Sequence, residues 1–187
     1  MEKDKLSNAI LVLRCQRRDE AAFRELVNRW HEKLYYYLRR IIENENAVWD
    51  VLQETWLAVF QNIRKLKDPR KFPAWLYRIG HNKAVSLLRK ENKYIQMTDE
   101  QAVDCCENNI TVEVDKEKAQ LVHELLGKLK LAHREVLTLY FLEGFSIKET
   151  AEIIGASEGT VKSRMYYAKH KLRETLKGAD DVRIKRD

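Results

Sequence analysis

The sequence predicts an all-α protein: two small helical domains joined by a flexible acidic linker. Three observations lead there. Only six Gly and two Pro punctuate 187 residues that are 44% hydrophobic and rich in helix-favouring Leu, Glu, Lys, Arg and Ala. Apolar residues recur at helical spacing in both halves of the chain. Between those halves, residues 96–114 lose the periodicity and turn acidic, with Asp99, Glu100, Asp104, Glu107 and Glu113.

The first stripe follows Asp19, a residue suited to an N-cap: Phe23, Leu26, Val27, Trp30, Leu34, Tyr37, Leu38 and Ile41 share one helical face. A second helix follows Glu45 and Asn46. Its Val48, Leu52, Trp56, Val59, Phe60 and Ile63 point to a core, and Asp50, Gln53, Glu54 and Gln61 line another face. The two helices pair as a hairpin. Residues 64–71 form a basic loop that includes Pro69, after which Phe72, Trp75, Leu76 and Ile79 open a third segment reaching about Lys93. This closes a first domain over residues 1–95.

Beyond the linker the pattern resumes through Val122, Leu125, Leu126 and Leu129, then Val136, Leu137, Tyr140 and Phe141. A second domain is expected over residues 115–178, with a charged tail over 179–187. Ser146 and Glu149 have capping-box spacing, Gly155 suits the left-handed end of a short helix, and Ser157 suits the cap of the next, which runs to about Leu176. Short helix, glycine turn and basic second helix describe a helix-turn-helix whose second helix enters the DNA major groove. Its first turns offer Lys162, Ser163, Arg164, Tyr166 and Tyr167, and Lys169, Lys171 and Arg173 continue the basic character.

The net charge of +6 favours a polyanionic partner, although a merely soluble basic surface accounts for the charge equally well. In the first domain, Arg64, Lys65, Lys67, Arg70, Lys71, Arg78, Lys83, Arg89 and Lys90 interleave with Phe72, Trp75 and Tyr77, a mixture suited to stacking on single-stranded bases beside phosphates. Phe72 and Trp75 also lie at core spacing, and packing the bundle explains those two at least as well.

Cys15, Cys105 and Cys106 offer no CxxC pair and an odd count, so they read as reduced thiols. The apolar run over residues 9–13 is too short for a secretory signal and meets Arg14, Arg17 and Arg18; no stretch approaches the roughly 20 apolar residues of a membrane span. A cytoplasmic protein without membrane insertion is expected. No Gly-rich phosphate loop, metal-ligand cluster or nucleophile-and-base constellation occurs, and the five histidines are scattered. An enzyme is not expected, nor a metal or cofactor.

The segments DVLQETWLAVF (residues 50–60), FPAWLYRIGHNKAVSLLRK (72–90) and GFSIKETAEIIGASEGTVKSRMYYAKHKLRE (144–174), in that order around an acidic linker, closely resemble bacterial RNA polymerase sigma factors of the extracytoplasmic function (ECF) group. The resemblance spans about residues 6–176. It implies that residues 1–95 are sigma region two, which docks on core RNA polymerase and melts the minus 10 element, and that residues from 115 are region four, which reads the minus 35 element.

By the same resemblance, Asp50, Gln53 and Glu54 hold the clamp helices of the largest polymerase subunit. Asn82 captures a flipped base in a pocket shaped by residues 64–71, with Lys67, Arg70, Lys71, Trp75, Tyr77, Arg78, Lys83, Ser86 and Arg89 around the single strand. A side-chain amide offers both donor and acceptor to a base edge. Ser157, Thr160, Lys162, Ser163, Arg164, Tyr166, Tyr167 and Lys169 face the upstream duplex; Arg164 suits a guanine edge and Lys162 a phosphate. An anti-sigma factor is a further expected partner, since relatives are often held by one. The linker is expected either to thread a basic polymerase channel or to serve as a solvated tether.

The chain departs from the family pattern at Trp49, where an acidic residue is usual, at Ser86, commonly Asp or Asn, and at Tyr167, often Arg. The principal rival is a stand-alone helix-turn-helix repressor or activator, which grips duplex DNA without polymerase and usually dimerises. The motif DVLQETW argues against it.

Overall fold

A computed structural model of the chain describes residues 2–90 and 126–184, with side chains placed over 6–90 and 126–174. The expected acidic linker, with Cys105 and Cys106, and the expected restart near residue 115 lie outside the described residues. Among the described residues every regular element is helical. The chain forms two compact units.

The first unit contains α1 (Glu2–Gln16), α2 (Glu20–Arg39), α3 (Glu45–Asn62) and α4 (Phe72–Lys90). α1 packs on α2, α2 on α3 and on α4, and α3 on α4. No sequence stripe announced α1, because its apolar residues occupy opposed faces: Ala9, Leu11, Val12 and Cys15 are buried while Leu6, Ile10 and Leu13 are exposed.

Asp19 caps α2, its carboxylate accepting from the Ala22 N–H at 3.0 Å and from the Arg14 guanidinium at 2.8 Å. Those two donors hold the Asp19 carboxyl below the usual carboxylate range, the backbone N–H contributing most. Just before it, Arg18 sits at φ 67°, a left-handed position that a side chain disfavours. α3 starts from Asn44, whose side chain accepts from the Ala47 N–H at 3.3 Å.

Tyr37, Tyr77, Phe72, Leu26, Leu34, Leu38, Leu52 and Leu76 are fully buried at the centre of this unit. Each such side chain contributes about 1.5–3 kcal/mol relative to exposure. Trp30 meets Phe72 and Tyr77 edge-on at 6.4 and 6.3 Å, and Tyr37 lies 5.0 Å from Tyr77. Gly80 lets α4 approach α2 closely, since a Cβ there would stand 3.2 Å from Leu34 Cδ1.

Two single turns of 3-10 helix, Ile63–Lys65 and Pro69–Lys71, join α3 to α4. Asp68 caps the second, accepting from the Arg70 N–H at 3.1 Å. The first is tied from outside: Gln16 Nε2 donates to the carbonyls of Ile63 at 3.0 Å and Leu66 at 2.8 Å.

The second unit contains α5 (Leu131–Leu137), most of α6 (Ile147–Ile154) and α7 (Glu158–Ile184). Leu126, Leu129, Leu137 and Ala168 form its core, with Phe141, Leu142 and Leu172 packed against them. α5 runs into a π-helical turn, Thr138–Leu142, in which Tyr140 and Phe141 are half-buried, while Val136 and Leu137 before it are buried.

The predicted capping box is present at α6: Ser146 Oγ accepts from the Glu149 N–H at 3.2 Å, and Glu149 Oε2 accepts from the Ser146 N–H at 2.9 Å. Gly155 ends α6 at φ 67° and ψ 34°, and Ser157 caps α7 by accepting from the Thr160 N–H at 3.0 Å. α7 continues to Ile184, past the predicted stop near Leu176 and into the expected tail.

Candidate nucleic-acid interface and docking surface

α3 buries Val48, Val51, Leu52, Thr55 and Val59. Its outer side therefore carries Asp50, Gln53 and Glu54, all exposed. Beside these polar residues the helix exposes three large apolar side chains, Trp49 at 40%, Leu57 at 57% and Phe60 at 60%. The sequence periodicity predicts Phe60 in the core, and the structure corrects this. With Val59 taking the inward position, Phe60 falls one step round the helix and lays only an edge on Phe23, at 5.3 Å between ring centroids.

Trp49 is braced rather than loose, lying 4.7 Å from Tyr35 and 6.0 Å from His31. Apolar side chains held exposed beside carboxylates suit a protein partner, because phosphates would be repelled.

α4 turns Leu76, Tyr77, Gly80, His81, Ala84, Val85 and Leu88 inward and presents Arg78, Asn82, Ser86 and Arg89 along one exposed face at helical spacing. Asn82 lies on this face. Tyr77 does not: it is fully buried between Trp30 and Tyr37, so it supports the helix from beneath and touches no strand. Trp75 is half-buried, with its ring 6.2 Å from Phe72.

Lys83 reaches across to α3 and donates to Glu54 Oε2 at 2.8 Å. One member of the expected docking set is thus paired with one member of the expected promoter set. The same hydrogen bond holds the Glu54 carboxyl below its usual range. On the loop Lys67, Arg70 and Lys71 are exposed, with the Arg70 guanidinium on Asp68 at 3.0 and 3.2 Å.

In α7 the buried stripe is Val161, Met165 and Ala168. Ser163, about 200° round the helix from Val161, is buried as well, 4% exposed, its hydroxyl donating to the Thr160 carbonyl at 3.0 Å. Ser163 is therefore removed from the groups facing solvent. Ser157 and Thr160 spend their hydroxyls on the cap and on each other, at 2.9 Å. Lys162, Tyr166, Lys169 and Arg173 follow one another at helical spacing on one side, with Tyr166 exposed; Arg164, half-exposed, lies about 200° round the helix from Lys162, on the other flank of the buried stripe.

Tyr167 is half-buried, its ring near-parallel to that of buried His133 with centroids 6.4 Å apart. The Lys169 ammonium stands 5.3 Å from the Phe141 ring centre. Cys15 is buried, and burial, followed by the nearby Asp19 charge, pushes its thiol up to about 11; it is an inert core group. Among the described residues no helix is long and apolar enough to cross a membrane, and no group of three or more potential metal ligands occurs.

Two helical units, one with an acidic and apolar helix face beside a basic one and the other with a helix-turn-helix, define the class. Residues 26–94 match sigma-70 region 2 and residues 119–172 match sigma-70 region 4. The chain is 31% identical to the ECF RNA polymerase sigma-E factor of Haemophilus influenzae, covering 92% of this chain and 97% of that protein. It is 27% identical to the ECF RNA polymerase sigma factor SigW of Bacillus subtilis, covering 85% and 91%.

A solved structure of CnrH in complex with the cytosolic domain of CnrY shares 29% identity and a TM-score of 0.65 over 91% of this chain and 97% of that one. A second, of the sigma factor RpoE with the anti-sigma factor NepR from Bartonella quintana, has 24% identity, the same TM-score of 0.65, and coverage of 83% and 96%; it shows the shared fold. The chain belongs to the ECF sigma factors, and it directs promoter-specific initiation by RNA polymerase.

Proposed function

We propose that the outward face of α3 is the polymerase docking surface, with Asp50, Gln53 and Glu54 engaging the clamp helices of the largest subunit and Trp49, Leu57 and Phe60 supplying the apolar contact. The observation that carries this is three large apolar side chains exposed beside two carboxylates on a helix whose other side is full of core. Such a face gains from covering by protein and is repelled by nucleic acid.

In this reading α4 and the loop over residues 64–71 hold the melted minus 10 strand, with Asn82 at the flipped base. α7 lays Lys162, Arg164, Tyr166 and Lys169 on the minus 35 duplex. Region two extends over residues 1–95, the acidic linker over 96–114 and region four over 115–178. The protein carries no active site, acts in the cytoplasm and lends specificity to the polymerase that performs the chemistry. The two solved relatives are each held by a partner, the cytosolic domain of CnrY and the anti-sigma factor NepR. An anti-sigma protein covering the α3 face is the matching regulator here.

Run-off transcription from a genomic promoter library tests the reading. New transcripts must require both core polymerase and this chain, and must fade with Asp50, Gln53 and Glu54 all changed to Ala. Absence of transcripts, with nanomolar binding of duplex sites by the protein alone, identifies a stand-alone repressor or activator instead.

A further inference from the structure

The loop over residues 64–71 is built on two short 3-10 turns. The first is closed by the Leu66 N–H on the Ile63 carbonyl at 3.2 Å, the second by the Lys71 N–H on the Asp68 carbonyl at 3.0 Å and the Phe72 N–H on the Pro69 carbonyl. Such turns have weak hydrogen-bond geometry and leave carbonyls to be satisfied from elsewhere. At the second turn the Asp68 side chain satisfies a backbone donor instead, accepting from the Arg70 N–H and from its guanidinium. At the first turn the donors come from the far end of the unit.

Gln16 is the last residue of α1. Both hydrogens of its amide are used, on the Ile63 and Leu66 carbonyls, partners 47 and 50 residues away in sequence. The anchor is itself rigid. The α1–α2 turn is closed by Arg17, Arg18 and Asp19 N–H groups on the carbonyls of Arg14 and Cys15, and by the Arg14–Asp19 ion pair. α1 also packs along both 3-10 turns. The matched sigma-70 region 2 begins at residue 26, after α1 has ended.

We infer that Gln16 is a positioning residue for the base-reading loop, a strut from α1 that fixes where Lys67, Arg70 and Lys71 present themselves to the unpaired strand. This rests on the proposed role of residues 64–71. Gln16 touches no base; it acts by denying the loop alternative conformations, and with them the ability to fit the wrong base.

The test uses holoenzyme rebuilt from core polymerase and the full chain. The probes are fluorescent single-stranded oligonucleotides carrying the near-promoter element, first selected from a random pool by wild-type holoenzyme, and their single-base variants. Gln16→Met keeps the shape and removes both donors; Gln16→Lys keeps a donor. Lys67→Ala with Arg70→Ala is the reference for the loop itself.

Gln16→Met is expected to lower the preference for the selected base roughly three- to tenfold, the scale of one or two lost hydrogen bonds. Core-polymerase affinity and binding of the upstream duplex stay unchanged, and Gln16→Lys recovers most of the preference. Amide exchange over residues 63–71 accelerates in Gln16→Met and not elsewhere, separating a local strut from general destabilisation. Undiminished preference in Gln16→Met, while the loop variant loses it, overturns the role of Gln16 and leaves the loop reading standing. If the loop variant also keeps its preference, the reading of the loop fails and the strut falls with it.

Discussion

α3 and α4 lie side by side and give half of their surface to the same core, yet their outer halves have opposite chemistry. α3 shows Asp50, Glu54, Trp49, Leu57 and Phe60; α4 shows Arg78, Asn82, Ser86 and Arg89. In the proposed reading that difference sorts partners by sign of charge: a polyanion is drawn to α4 and repelled from α3, with the Lys83–Glu54 pair at the seam between the two helices.

The largest effect that sharpens this comparison belongs to a residue on neither face. Tyr77→Ala is expected to destabilise the first unit by about 3–5 kcal/mol, the range for deleting a large buried ring, whereas Tyr166→Ala changes stability by less than about 0.5 kcal/mol. Chemical denaturation of the two variants measures both. Equal losses would mean that the inside and outside of these helices have been confused.

Next comes the α3 face. Phe60→Ala is expected to weaken binding of core polymerase by about 2 kcal/mol, close to thirtyfold, with little change in unfolding midpoint. Fluorescence anisotropy with labelled protein reads the affinity. A large stability loss with unchanged affinity would return Phe60 to the core.

Smaller effects concern local geometry. Arg18→Gly, at the left-handed position, is expected to raise stability by about 1 kcal/mol in thermal unfolding, since Gly adopts that conformation without a side-chain clash. Asp19 adds a pH signature. Its folded pKa lies below the unfolded one, so its contribution is present above the ordinary Asp value near 4 and is lost as pH falls through the lower folded value. Asp19→Asn keeps a capping side chain but is expected to remove that part of the acid dependence; an unchanged acid profile would assign it to other carboxylates.

Several helix caps were legible in the sequence because they depend on neighbours within a few residues: Asp19, the Ser146–Glu149 box, Gly155 and Ser157 each act where predicted. The misplacements have different causes. Phe60 lies at the edge of an apolar stripe, where one step of about 100° decides between core and solvent, and packing of Val59 settles the phase. Tyr77 stands within the buried face of α4, and Ser163 is buried about 200° round α7 from Val161; there residue type, a tyrosine or serine read as a surface contact, points the wrong way. Trp49 and Leu57 carry no such signal alone.

Gln16 was illegible for a different reason. Its partners are backbone carbonyls far along the chain, and any residue type supplies those. α1 was passed over because its two apolar faces cancel the stripe that marks a helix.

The separation of faces is tested most directly by crossing two variants with two partners. Binding to core polymerase and to a minus 35 duplex is measured for Leu57→Asp and for Lys162→Ala combined with Arg164→Ala. Leu57→Asp should lose polymerase affinity and keep duplex binding by region four; the region-four variant should do the reverse, with a salt slope lower by about 1 for each phosphate contact removed. If Leu57→Asp binds polymerase as tightly as wild type, or the region-four variant loses polymerase while retaining the duplex, the assignment of these faces is wrong.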